Sequence, residues 1–379
     1  MAKTKVTRVK KTDGSQKRKF NFGAIFYFIR TLWSNGVVFE IGKTTKWFWS
    51  IILFVVSTII TVIPTMSTQF NTKVESLLTN GTQDNLYRGL YEYAKDDTAG
   101  EITFDSNFNL AASNVSSGEY DYKLNTADSP AALKPTFSAY DKSTGANYLD
   151  IYVFNDKKYE EDANWKVLSE KLQATNSTYG DSDESKRKVI LEAGQEYTRQ
   201  ASLVVFLPTK LFIRAYNLNG KNYRDISGDY KHVFEKFDAS KESTFKAVLL
   251  KDNDSTKLTS VQMDKVSKNF LLYLNLVYVN PRISSAWVTT SIIGSINAGI
   301  MLIMGILMWA FTRGKKSVNR DLTIFNCYSM AFWLSLTPAI LSMIMSFIMP
   351  QFSMMFFVLI YAMRSMFMTT RYVRPMQAA

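Results

Sequence analysis

The chain has 379 residues and a formal net charge of +12, with one histidine and one cysteine. A single histidine excludes a multi-histidine metal centre, and a single cysteine excludes an intramolecular disulfide. The mean hydropathy is near neutral at −0.09, an average that hides a polar middle and an apolar C-terminal part holding thirteen of the sixteen methionines.

Residues 1–46 carry eleven Lys/Arg against Asp13 and Glu40. The start of this stretch, with Lys17, Arg18 and Lys19, reads as a basic tail. Phe22, Ile25, Phe26, Ile29, Leu32 and Trp33 then recur at helical spacing. That segment is too short to span a bilayer. It is expected either as an amphipathic helix in the inner interface or as a helix packed on the inner ends of a bundle. Residues 47–66 form an apolar run of the length that ~30 Å of hydrocarbon requires. Trp47 and Trp49 open it at the expected headgroup level. With Lys17, Arg18, Lys19 and Trp33 they are the candidate lipid-surface residues. The run reads as an anchor, because a cleaved signal has a shorter apolar stretch and a small-residue cleavage site.

Residues 67–284 have the composition of a folded polar domain of mixed α and β structure. Gln69–Lys95 reads as helix with a break near Asn80-Gly81. Strands are expected at Ile102–Asn107, Tyr120–Leu124, Tyr148–Phe154, Leu203–Leu207 and Leu211–Tyr216, where aromatic and β-branched residues are bounded by turn formers. Glu160–Ala174 reads as a helix, with shorter ones at Tyr230–Phe237 and Glu242–Leu250. Leu258–Val279 is read as helix to about residue 270, and the remainder is left open.

Three more apolar runs follow at 285–311, 322–349 and 351–370, joined by a basic 312–321 loop and ending in a 371–379 tail. The expected class is α+β: a four-helix transmembrane protein with one span, a domain inserted between spans one and two, then three spans. Lys and Arg concentrate at the N-terminus, the 312–321 loop and the C-terminal end. Basic flanks stay cytoplasmic, so both termini are expected inside and residues 67–284 outside. The basic excess is explained by topology and anionic lipid, not by nucleic acid.

Motifs of nucleotide binding, metal binding and nucleophilic catalysis are missing. His232 is expected to be structural, and no catalytic residue, cofactor site or metal site is expected. Glu160-Glu161-Asp162 reads as a solvated helix start. In the second span Ser291, Ser295 and Gly299 recur every four residues, with Gly294 and Ala298 beside them, a face that lets another helix approach closely. Asn297 lies among them and needs a partner in hydrocarbon. Pro338 is expected to kink the third span. Arg364 lies within the fourth and is expected either to snorkel to the inner boundary or to pair with Tyr328 or Ser329.

Phe28-Ile-Arg-Thr-Leu-Trp before the first span, Leu203-Val-Val-Phe-Leu-Pro-Thr-Lys-Leu-Phe-Ile, Tyr223-Arg-Asp-Ile, and Tyr328 with Pro338-Ala-Ile-Leu resemble a bacterial integral-membrane family of unknown function, the maltodextrin (maltodextrose) utilisation proteins. The resemblance implies a link to carbohydrate uptake and supplies no catalytic residue. The expected function is a non-enzymatic accessory of an uptake or envelope complex in a bacterial plasma membrane. Its partners would be membrane lipids and a membrane protein or second copy. A small oligomeric transporter or channel is the alternative, and an extracytoplasmic enzyme ranks third.

Overall fold

The computed structural model describes residues 29–78, 81–111, 117, 133, 135–140, 147–178, 188–190, 196–198, 201–217, 222–251, 262–314, 317–349 and 352–373. The expected strand at Tyr120–Leu124 and the basic residues Lys17, Arg18 and Lys19 lie outside them. The chain divides into two compact units, residues 1–67 with 289–379, and residues 68–288.

In the first unit, α1 (Asn35–Thr44) and α2 (Trp47–Phe70) follow one another closely. α8 (Val279–Thr312), α9 (Ile324–Ile348) and α10 (Ser353–Met368) complete it, and α10 continues into a π-helical turn at Thr369–Val373. Among the described residues, three helices are long and apolar enough to cross a membrane: α2, α8 and α9. They place the chain among membrane proteins. The expected fourth span is a 16-residue helix, about 24 Å at the α-helical rise and short of ~30 Å without its π turn.

Helix α1 was not anticipated, because its two glycines and short apolar pattern are weak helix signals. Ser34 caps it by accepting from the Val37 amide at 3.5 Å. Close packing supplies the rest: a Cβ on Gly42 would fall 2.2 Å from the Met330 side chain. The interfacial helix expected over 20–33 falls mostly outside the described residues. Its last residues form a corner docked on the middle of α9, where Thr337 donates its hydroxyl proton to the Leu32 carbonyl. That contact ties the end of the segment to a helix of the first unit, while Ile29 and Trp33 stay exposed.

The second unit is built on a five-stranded mixed sheet in the order β1-β2-β5-β6-β7. These strands are β1 (Phe137–Tyr140), β2 (Asn147–Val153), β5 (Ser202–Phe206), β6 (Lys210–Tyr216) and β7 (Tyr223–Asp229). β3 (Lys188–Ile190) and β4 (Glu196–Thr198) form a separate antiparallel pair. β2 and β5 run parallel, which requires a crossover; it contains α5 (Asp162–Thr178).

Every residue of β5 is buried, as a strand covered on both faces must be. The alternation divides it cleanly. Val204 and Phe206 enter a core with Leu86, Leu90, Phe245 and Phe270. Leu203 and Val205 enter another with Leu168 and Leu172 of α5. The first core is covered by α4 (Thr82–Lys95), α6 (Phe245–Leu249) and α7 (Met263–Val277). The expected break at Asn80-Gly81 separates the short α3 (Val74–Leu77) from α4, with Gly81 at φ 75°.

Several expectations are corrected. Ile102–Asn107 is not a strand; only Thr103 and Phe104 make isolated bridges. Tyr230–Phe237 contains only a 3-10 turn at Val233–Glu235. The segment left open after residue 270 is helix to Val277, because Phe270, Tyr273, Leu274 and Val277 all face the first core.

Candidate functional site

In the first unit the Arg364 guanidinium makes three hydrogen bonds. Its Nε donates to Asn35 Oδ1 at 3.0 Å, Nη1 to the Leu334 carbonyl at 3.1 Å and Nη2 to the Thr31 carbonyl at 2.5 Å. The Leu334 acceptor has a local cause. Pro338 lies inside α9 and has no N–H, so the carbonyl four residues earlier loses its helical donor. That carbonyl is Leu334, and the guanidinium takes it. One turn away, the Tyr361 hydroxyl donates to the Ala331 carbonyl at 3.1 Å. The partners of Arg364 are thus Asn35, Leu334 and Thr31, not the expected Tyr328 or Ser329. The side chain bridges α9, α10 and the corner before α1. Ser329 instead pairs with Ser50 at 2.5 Å.

Helix α8 buries Thr290, Gly294, Asn297, Met301, Gly305, Met308 and Thr312, a spacing of three and four. Gly294 meets Val62 and Thr58 of α2, and Gly305 lies beneath the Tyr328 ring. Ser291 and Ser295 sit one position round the helix and are exposed. A Cβ on Gly299 would meet nothing within 4 Å. The small residues that receive another helix of this chain are thus Gly294 and Gly305. Asn297 is fully buried, and neither its Oδ1 nor its Nδ2 has a partner. Ser57 on α2 is equally buried, with its hydroxyl unpartnered. The candidate lipid-surface residues Trp33, Trp47 and Trp49 are 70%, 65% and 56% exposed.

The second unit carries a groove of about 1060 Å³ along α7. Leu271, Leu272 and Leu276 give it apolar surface, while Lys73, Glu75, Asp84, Lys265, Lys268 and Arg282 bring both charge signs. Sequence reasoning missed this groove, because its residues come from segments some two hundred positions apart. Asn275 ties two of them, accepting from the Val74 amide at 2.9 Å and donating to Glu75 at 3.3 Å.

His232 lies at the start of the Val233–Glu235 turn. Nδ1 meets Glu235 Oε1 at 2.8 Å and Nε2 meets Asn280 Oδ1 at 3.2 Å. The Asn280 amide is oriented by donating Nδ2 to both Asp229 oxygens, at 3.1 and 2.8 Å. Both partners of the ring are acceptors, so the doubly protonated imidazolium is favoured. Its hydrogen bond to Glu235 raises the His232 pKa. Neither nitrogen is left to act as a base. Glu160 is likewise engaged, accepting from the Thr209 amide at 2.5 Å and from its hydroxyl at 3.0 and 2.9 Å. Among the described residues, no group of three His, Cys, Asp or Glu is placed to hold a metal ion.

Compared with known proteins, the chain matches no family model, no curated protein and no solved structure.

Proposed function

We propose that this is a membrane-anchored docking protein, a non-enzymatic accessory of an uptake or envelope complex, with its partner received by residues 68–288. The groove along α7 is the observation that carries this reading. It combines apolar leucine surface with side chains of both charge signs, which can steer and orient a charged partner. The arginine of the membrane unit supports it too, since its donors are spent on internal carbonyls and an asparagine. In this reading α10 and its π turn form a fourth span, both termini are cytoplasmic and the groove faces outward. The resemblance to maltodextrin utilisation proteins makes carbohydrate uptake the candidate process.

Photo-crosslinking from Lys268 and Leu272 in living cells tests the reading. A defined membrane or envelope protein should be captured there and not from Glu170 on the other side of the sheet. Equal capture at all three positions, or none at the groove, would refute it. Sidedness is tested separately with a membrane-impermeant maleimide on a Cys327→Ser background. Glu170→Cys should label in intact cells and Lys46→Cys only after lysis.

The buried, unpartnered Asn297 favours a second reading, a small oligomeric transporter. Flux in proteoliposomes that disappears in Asn297→Ala would establish it in place of the first.

A further inference from the structure

Helices α2 and α8 meet along a face that carries polar groups with no partner inside the protein. Gly294 of α8 meets Thr58 and Val62 of α2, where a Cβ would fall 3.7 and 3.4 Å from their side chains. Met301, further along α8, joins Leu53 in one buried cluster. The two helices therefore run antiparallel, with Gly294 level with Ile60. Three residues on, Asn297 is level with Ser57, three residues back along α2. Both side chains are fully buried. The Ser57 hydroxyl and both polar atoms of the Asn297 amide are unpartnered.

Pro64 adds a third group. It lies inside α2, on the buried stripe that holds Ser57 and Thr61. Having no N–H, it deprives the Ile60 carbonyl of its helical donor, as Pro338 does for Leu334 in α9. There an arginine takes the carbonyl. Here the only charged residue of either helix is Arg282, in the first turn of α8. The neighbouring hydroxyls donate within their own helix: Thr58 to the Phe54 carbonyl at 2.9 Å and Thr61 to the Thr58 carbonyl at 2.8 Å.

The unmet groups select the ligand. An amide presents donors and an acceptor together, a hydroxyl does both, and a carbonyl only accepts. A cation would suit the oxygens, but it would oppose the Asn297 N–H groups and find no carboxylate on either helix. An anion would face the Asn297 and Ile60 oxygens. Water donates and accepts at once, and ordered water re-satisfies backbone that proline frees in membrane helices. A buried water typically makes about three hydrogen bonds, and Asn297, Ser57 and Ile60 supply that many partners.

We propose that the interface of α2 and α8 holds ordered water, bound by the Asn297 amide, the Ser57 hydroxyl and the Ile60 carbonyl. The site is enclosed and is part of the fold of the membrane unit. It rests on neither of the functions proposed above.

Solid-state NMR of the full chain in phosphatidylcholine bilayers, isotope-labelled at asparagine, tests the site through magnetisation transfer from water. Asn85 is the internal control. It is as buried as Asn297, but its Nδ2 donates to the Asn217 carbonyl at 3.0 Å. The Asn297 side-chain signal should build up from water severalfold faster than that of Asn85. Its loss in Asn297→Leu identifies it, and Asn297→Gln serves equally if the leucine variant does not fold. Ser57→Ala should slow the Asn297 build-up, because the water loses an anchor. An Asn297 signal no faster than Asn85 would overturn the proposal, as would a build-up that Ser57→Ala fails to slow. So would quenching by a gadolinium chelate in the buffer, which marks an open aqueous path. A shift of the signal when choline replaces sodium would overturn it too, since that marks a cation.

Discussion

Two residues conspicuous in the sequence, Pro338 and Arg364, act through each other. The proline releases the Leu334 carbonyl, and the arginine takes it at 3.1 Å. A carbonyl left bare in hydrocarbon costs several kcal/mol, so each residue makes the other tolerable. Arg364→Leu should destabilise the detergent-solubilised protein by about 2–4 kcal/mol, the combined worth of three such bonds. Thermal unfolding in one detergent reads this directly. Pro338→Ala restores an amide donor to Leu334, so Arg364→Leu should cost about 1 kcal/mol less on that background. Strict additivity would break the link drawn here. His232 makes the other prediction at this scale. Its pKa is raised in the folded protein, so its stabilisation is complete below the unfolded value of about 6.5. It is lost as pH rises through the folded value. Stability should therefore decline as pH rises above about 6.5, and His232→Gln should flatten that slope in pH-stepped denaturation.

At the level of elements, close approaches decide which helix faces meet. A Cβ on Gly228 of β7 would fall 2.0 Å from the Val277 carbonyl oxygen at the end of α7. Backbone cannot turn aside as a flexible side chain can. Gly228→Ala should thus force β7 and α7 apart and cost about 2–3 kcal/mol, the upper range for overpacking. Urea unfolding of the full chain, followed through tryptophan fluorescence, measures it; a cost below 1 kcal/mol, the bottom of that range, would mean that the approach is looser than drawn. Helix α8 illustrates the same control. Its sequence offers small residues on more than one face, and the partner helices meet Gly294 and Gly305 while Ser291 and Ser295 stay exposed. An apolar helix has no polar side to mark which stripe turns inward.

For the whole molecule, composition determined a great deal unaided. Apolar runs of about 20 residues can satisfy their backbone in lipid only as helices, so α2, α8 and α9 were legible from hydropathy. The central strands β2, β5 and β6 were legible from runs of aromatic and β-branched residues bounded by turn formers, although β2 and β6 also carry Asp150 and Arg214. What needed tertiary structure was everything that depends on a distant partner. Helix α1 exists against Met330. β7 reads as polar and is held by pairing with β6, where Arg214 and Asp225 sit opposite in register and bond at 2.7 Å. The groove along α7 gathers residues from separate segments. Arg364 shows the division most clearly. Its sequence position announced a charge that lipid would not accept, and Pro338 marks Leu334 as a free acceptor, but only the folded chain brought Thr31 and Asn35 to it, since neither carries a local mark of being near. Local chemistry sets the length and type of an element, whereas which groups come to satisfy one another is decided by contacts that close over hundreds of residues.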